Sequence, residues 1–301
     1  MKEINEYFHF CNKSNLHKSL NTLKGILKGV IADSEVNSKE IEEIDSWMIS
    51  QKRYEKFHPY NELIPILQNA LSDGILDAEE IADITWFLDQ ATEENEFYDL
   101  VTSDLQYLHG VVHGILADGV LREIEIKSLS NWLDDSLHLR GCYPYDEIYG
   151  LLTSVLKDGK VDDGERELLR SFFSEFVQLS GVNHYRLKSS LKVGITTLGV
   201  CAVDPVIELK GNKFVFTGES HRFRRAELKE IVEQYGGIFG NSLTKDTDYL
   251  VYGAVGNQCW AYSCYGRKVE KAVNLRKAGS TMLIIHENDF WDSILDLGYK
   301  E

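Results

Sequence analysis

The chain has 301 residues, 43% of them hydrophobic, with a formal net charge of −16 at pH 7. That length suits about two domains, each large enough for its own core, and the composition is that of a globular protein. The charge is uneven: residues 206–301 carry 13 Lys/Arg against 13 Asp/Glu, so the 19 against 35 before them carry the whole excess. An acidic first part repels a DNA backbone and disfavours a surface that coats duplex through it. The start, MKEINEYFHFCNKSN, lacks the apolar centre of a signal peptide. The least polar run, Val193 to Val203, is about half the length a bilayer crossing needs, so no membrane is expected as a partner. Five scattered cysteines with no CxxC pair predict neither a disulfide framework nor a zinc finger, and a reducing cytoplasm is the simplest compartment.

Residues 1–181 read as an all-α domain with four helix–turn–helix repeats. The anchors are Asp33, Asp73, Asp118 and Asp158, spaced by 40, 45 and 40 residues and followed by Ser34, Gly74, Gly119 and Gly159. Three positions past each anchor comes an aliphatic (Val36, Leu76, Leu121, Val161), and seven past it a glutamate (Glu40, Glu80, Glu125, Glu165). Fourteen past it comes an aromatic (Trp47, Phe87, Trp132, Phe172). Units one and three, and units two and four, lie 85 residues apart, the pattern of a helical pair duplicated in tandem. Ile26, Leu27, Val30 and Ile31 before the first anchor fall at helical spacing, as do Val111, Val112, Ile115 and Leu116 before the third. Ile41, Ile44, Trp47 and Met48 repeat the stripe after the turn, which assigns the aromatics to the core and predicts a bundle of about eight helices.

The Asp-Gly-x-aliphatic-x-x-x-Glu spacing matches the second half of a calcium-binding EF-hand loop. With the glycine as loop position six, however, position three falls on Ile31, Leu71, Leu116 and Leu156, where calcium needs oxygen ligands. Helix capping accounts for more. Asn37, Asp77 and Asp162 stand three residues before Glu40, Glu80 and Glu165, which is a capping box; unit three has Arg122 at the cap yet keeps Glu125. His109 and His113 share a helical face and could seed a zinc site, but no glutamate separates them as in HExxH and the other units lack the pair, so a local structural or surface role is expected. The turns ADS at 32–34, SDG at 72–74, ADG at 117–119 and KDG at 157–159 resemble the helical TerB-like (tellurite-resistance) family over residues 16–178. That resemblance implies binding of a divalent cation by Asp33, Asp73, Asp118 and Asp158, and a part in a stress response.

Residues 182–205 form a connector. Gly194, Thr196, Thr197 and Gly199 predict extended chain, and Asp204-Pro205 marks the entry to the next domain. Residues 206–301 then alternate strand and helix. The strand Phe214-Val215-Phe216 ends in Thr217-Gly218, and a basic helical stretch (Arg222, Arg224, Arg225, then 226–235) stops at Gly236-Gly237. Tyr249-Leu250-Val251 is a strand, 268–278 an amphipathic helix closed by Gly279, 282–285 a buried-type strand and 289–297 a last helix. Such alternation predicts a parallel sheet with helices on both faces. A hydroxyl, a glycine N–H and nearby cations at a strand-to-helix turn are what an anion needs.

The run FVFTG at 214–218, the pair Gly236-Gly237, TDYLV at 247–251, GRKVEKA at 266–272 and the late Trp291 together resemble a BRCT domain. The resemblance implies a small domain with a four-stranded parallel sheet flanked by helices. It also implies a phosphate site made by the Thr217 hydroxyl, the Gly218 N–H and Lys271, with Lys268 as the alternative register. For a DNA 5′-end it adds Arg225, with Arg224 adjacent. The stretch between Gly253 and Gly266 departs from the family pattern and carries Trp260, Tyr262 and Tyr265, aromatics of the kind that anchor protein partners. No nucleophile elbow, Walker loop, nuclease carboxylate array or metalloprotease helix is present, and no cofactor is implied. The expected function is a non-enzymatic adaptor in DNA repair, replication or a stress response, binding a phosphorylated protein partner or a DNA 5′-phosphate end. A cation-responsive stress protein and a phosphate-independent scaffold stand as alternatives.

Overall fold

The structure is a computed structural model describing residues 2–33, 36–93, 98–174, 176–177, 201–202, 205–253, 260 and 265–299, with side chains from residue 13. The expected extended connector lies almost wholly outside the described residues, as does Tyr262. The chain divides into two compact units, 1–140 with 144–189 and 190–301 with 141–143. No described helix is long and apolar enough to cross a membrane.

The first unit holds eight α-helices among the described residues: α1 Lys2–Val30, α2 Ser38–Ser50, α3 Tyr60–Ala70, α4 Ala78–Thr92, α5 Leu100–Leu116, α6 Glu123–Asp135, α7 Tyr145–Val155 and α8 Asp163–Phe173. The repeat explains where they stop and start. Gly74, Gly119 and Gly159 take φ of +77°, +77° and +76°. Before each, the aspartate accepts the N–H two residues on: Ile75 at 2.9 Å, Val120 at 2.7 Å and Lys160 at 3.0 Å. That local bond makes the turn, and a side chain at the glycine would strain it. Asn37, Asp77 and Asp162 then close capping boxes with Glu40, Glu80 and Glu165. In unit three the Glu125 half of the box survives, accepting the Arg122 N–H at 2.5 Å. Trp47 is buried and stacks on Tyr60 at 5.9 Å, while Trp132 and Phe172 are half-buried against Tyr107 and Phe176.

Helices α1 and α5 run side by side in the same direction, close enough for backbone to touch backbone. A Cβ on Gly25 would lie 2.1 Å from the Tyr107 carbonyl oxygen, and one on Gly110 would lie 2.1 Å from that of Thr22. Gly29 and Gly114 repeat the relation toward Val111 and Ile26 at 2.4 and 2.3 Å. Each contact has its mate 85 residues along, as in a self-complementary two-fold interface. Asn21 Nδ2 donates to Gln106 Oε1, also 85 residues on, at 2.8 Å within the same buried seam.

The second unit is built on a sheet of β1 Lys213–Thr217, β2 Ile238–Gly240, β3 Tyr249–Tyr252 and β4 Leu283–His286, all parallel, in the order β2-β1-β3-β4. Helix α9 Arg225–Gln234 follows β1, α10 Arg267–Lys277 follows β3 and α11 Glu287–Asp296 follows β4. Phe214 and Phe216 point to one face and pack with Leu228, Ile231 and Val232 of α9 and with Phe290, Trp291 and Ile294 of α11. Val215, Leu250 and Ile284 point the other way and are fully buried, as are Val269 and Ala272 of α10. From β1 the chain goes outward to β2, then returns past β1 to β3. The strand order therefore reverses between β1 and β3, and ligands of open parallel sheets bind at the carboxyl ends of strands flanking such a point.

Candidate functional site

Thr217 ends β1 at this reversal. The residue is 5% exposed, and its hydroxyl has no hydrogen-bond partner among the described residues. Gly253, at the end of β3, donates its N–H to the Thr217 carbonyl at 2.8 Å. Gly218 has φ +79°, and a Cβ there would also lie 2.9 Å from the Trp260 ring. Glycine is thus required twice, by backbone conformation and by space.

Two cations converge on the same strand end. Arg225, the first residue of α9, directs Nη1 to the Phe216 carbonyl at 3.4 Å, with its guanidinium over the Phe239 ring at 5.5 Å. Lys268, in the first turn of α10, donates Nζ to the same carbonyl at 3.1 Å. Neither meets a carboxylate among the described residues. Burial, and then the charge of Arg225, lower the Lys268 ammonium below its usual range. An arriving anion would relieve both the like-charge repulsion and the poor solvation. Lys271 stands elsewhere: its Nζ donates to the Leu243 carbonyl at 2.8 Å. One helical turn separates the two lysines, and the first-turn lysine is the one facing the end of β1. Arg224 begins α9 as its cap, its N–H donating to Glu227 at 2.7 Å, and it is exposed. Trp260 and Tyr265 are only 6% and 3% exposed, so neither is displayed as a surface anchor. Trp260 instead packs against Tyr252 at 5.1 Å and walls the Gly218 turn.

The four repeat aspartates do not come together as one set. Asp73 and Asp158 are exposed at their own turns. Asp33 and Asp118 follow the two helices of the glycine seam and meet across Arg122, whose Nε lies 3.2 Å from Asp33 and whose Nη1 lies 2.8 Å from Asp118. Asn37 Nδ2 also donates to Asp118, at 3.2 Å, and Lys39 Nζ to the Asp118 carbonyl at 3.1 Å. Glu40 and Glu125, 1% and 0% exposed, lie beside them, and burial pushes both carboxyls up to about 7. A guanidinium thus sits between the two acids expected to hold a cation, and no three His, Cys, Asp or Glu among the described residues are grouped to hold a metal ion. Of the histidine pair, His109 Nε2 bonds the Phe176 carbonyl at 2.6 Å, and burial pushes its imidazole down to about 3. His113 Nε2 lies 3.0 Å from the buried Glu43 carboxylate.

The BRCA1 C Terminus (BRCT) domain family matches residues 205–279. Residues 205–279 are a BRCT domain. The match lies outside the helical repeats, whose TerB-like resemblance therefore rests on the turn motif alone. Among curated relatives, the DNA ligase of Syntrophus aciditrophicus (strain SB) is 30% identical over 248 residues, covering 74% of this chain and 33% of that protein. The DNA ligase of Thermosipho africanus (strain TCF52B) is 36% identical over 89 residues, 30% of this chain and 11% of that protein. That of Aquifex aeolicus (strain VF5) is 56% identical over 45 residues, 15% and 6% respectively. The chain spans about a third of the first of these relatives and less of the others. No solved structure matches. These relatives overturn the expectation of a non-enzymatic adaptor, because each is named for an enzyme. The BRCT domain sets the convergence of Thr217, Gly218, Arg225 and Lys268 at the open end of its sheet. No motif other than the GRKVEKA register distinguishes Lys268 from Lys271, and the register is resolved by the start of α10 at Arg267.

Proposed function

We propose that this chain is a DNA-ligase-related region with a part in DNA strand joining, and that its BRCT domain holds DNA by a phosphate at the end of β1. The observation that carries this reading is the pair Arg225 and Lys268. Two cations meet there without a described acid, beside a threonine hydroxyl and a glycine turn at the strand-order reversal. Such a set suits one phosphate, a 5′-phosphate at a nick, rather than a long duplex track. The 19 Lys/Arg against 35 Asp/Glu before residue 206 make the rest of the chain a poor duplex surface. A cytoplasmic location accords with this role.

The test is fluorescence polarisation of the full chain on nicked duplex with a 5′-phosphate and on the same duplex with a 5′-hydroxyl, paired with a nick-sealing assay. Preference for the phosphate, lost in Lys268→Glu and kept in Lys271→Glu, is expected. A single phosphate contact gives a salt slope near one, against six or more for a protein tracking the backbone (~0.9 per phosphate). Equal binding to both duplexes refutes the site. Preference for a phosphothreonine peptide over either duplex replaces DNA with a protein ligand.

A further inference from the structure

The loop from Gly218 to Arg224 joins the two halves of this site, since Thr217 stands before it and Arg225 after it. It is tied down from below by one carboxylate. Glu287 opens α11 and is 1% exposed. Its Oε1 accepts from the Ser220 hydroxyl, from the His221 N–H at 3.1 Å and from Trp291 Nε1 at 3.0 Å. The His221 ring closes on the same oxygen, with Nδ1 at 3.1 Å. Ser220 Oγ in turn accepts the N–H groups of Arg222 and Phe223, both at 3.2 Å, which folds the loop into a tight turn. Phe223 and the Arg222 guanidinium then cover the Trp291 ring at 5.1 and 5.5 Å.

A buried carboxylate is costly unless donors surround it, and here most of those donors belong to the loop. Its charge has the wrong sign for contact with a phosphate, so it acts through the loop and not on the ligand. We propose that Glu287 is the positioning residue of the anion site: it fixes the 218–224 loop so that Gly218 and Arg225 face one phosphate together. This rests on the reading of that site as a phosphate holder. The preorganisation matters because each charge-assisted contact keeps its strength only while donor and acceptor stay aligned.

The full chain serves for the test, in wild-type, Glu287→Ala, Glu287→Gln and Ser220→Ala forms. Two quantities are read: the ratio of affinities for 5′-phosphate and 5′-hydroxyl nicked duplex, and hydrogen exchange of residues 219–223 without DNA. Glu287→Ala is expected to reduce the ratio about tenfold, the worth of one well-aligned charged hydrogen bond. It should also speed exchange in the loop while β1 and β3 stay protected. Glu287→Gln keeps acceptors for Ser220 and the His221 N–H and should restore most of the ratio. Ser220→Ala, which removes a single tie, should show the same two effects in smaller measure and covers the case in which Glu287→Ala does not fold. Unchanged loop exchange and an unchanged ratio in the folded Glu287→Ala or Ser220→Ala protein overturn the proposal. A wild-type ratio of one, by contrast, refutes the phosphate site itself and takes the proposal with it.

Discussion

Glu40 and Glu125 make the stability of the helical unit depend on pH in a direction that can be worked out. Both carboxyls shift from 4.5 to about 7, first through burial and then with Asp118 and Asp33 adding repulsion, while Arg122 pulls the other way. Between those values the folded chain binds more protons than the unfolded one. Stability therefore falls as pH rises from about 4.5 to about 7 and levels off above. At ~1.4 kcal/mol per pH unit, each group has a ceiling of about 3 kcal/mol, and because the two share Arg122 and the same aspartates the joint effect is less than twice that. Glu125→Gln removes the penalty while its amide oxygen still accepts the Arg122 N–H. The cost is the weak attraction to Arg122 Nη1 at 3.7 Å. The variant is expected to be more stable than wild type at pH 8 by 1 kcal/mol or more (order of magnitude) and to gain little at pH 5. Urea denaturation followed by far-UV circular dichroism at both pH values measures this, with hydrogen exchange in α1 and α5 to place the change. Comparing variant and wild type at each pH removes contributions from other groups. A Glu125→Gln protein less stable than wild type at pH 8, or an advantage as large at pH 5, would falsify the account.

Gly110→Val should part α1 from α5 and cost about 3 kcal/mol, whereas Gly150→Ala, where a Cβ meets nothing within 4 Å, should be neutral or slightly stabilising; urea titration distinguishes them. Gly218→Ala combines a positive φ with a clash at Trp260 and is expected to lower the melting temperature of the BRCT domain by the equivalent of about 1–2 kcal/mol. Arg122→Ala leaves Asp33 and Asp118 buried without their guanidinium and should cost about 3–5 kcal/mol at pH 8 and less at pH 5, read by the same denaturation curves.

Much of this architecture is legible in the residues because local rules and the fold agree. The Asp-Gly turns and capping glutamates mark helix ends, and the apolar stripes mark the faces that are buried. The alternation in 213–297 gives three of the four strands directly. The fourth, β2 Ile238–Gly240, is three residues long with Ile238 exposed, so it shows no alternation to read and follows only from the BRCT resemblance. The site is legible in part. Thr217 and Gly218 follow from the strand–turn–helix pattern and Arg225 only from the BRCT resemblance, while Lys268 and Lys271 lie three apart on one helix, and only the helix's start decides which reaches β1. Glu287 carries no motif, because its role depends on a loop 66 residues earlier. The four aspartates are alike in sequence and unlike in space. What separates them is Gly25, Gly29, Gly110 and Gly114: the first and third anchors have glycine both eight and four residues before them, where the second has Pro65 and Asn69 and the fourth Gly150 and Ser154.

That glycine seam also explains why the acids need Arg122. With backbones in contact, the ends of α1 and α5 are forced together, and so are Asp33 and Asp118 just beyond them, with Glu40 and Glu125 from the next helices. Equivalence of the two halves would place four buried carboxylates around one axis, which is untenable unless charge is removed or balanced. The chain does both. The two glutamates hold their protons toward pH 7, and the cap position departs from equivalence, with Asn37 in one half and Arg122 in the other. A second arginine in place of Asn37 would have to share the space that one guanidinium already fills between Asp33 and Asp118, and two asparagines would leave both aspartates unbalanced. The lost half of the capping box in unit three is thus a consequence of the packing: the residue whose side chain fails as a cap is the one that makes the close approach of the two halves possible.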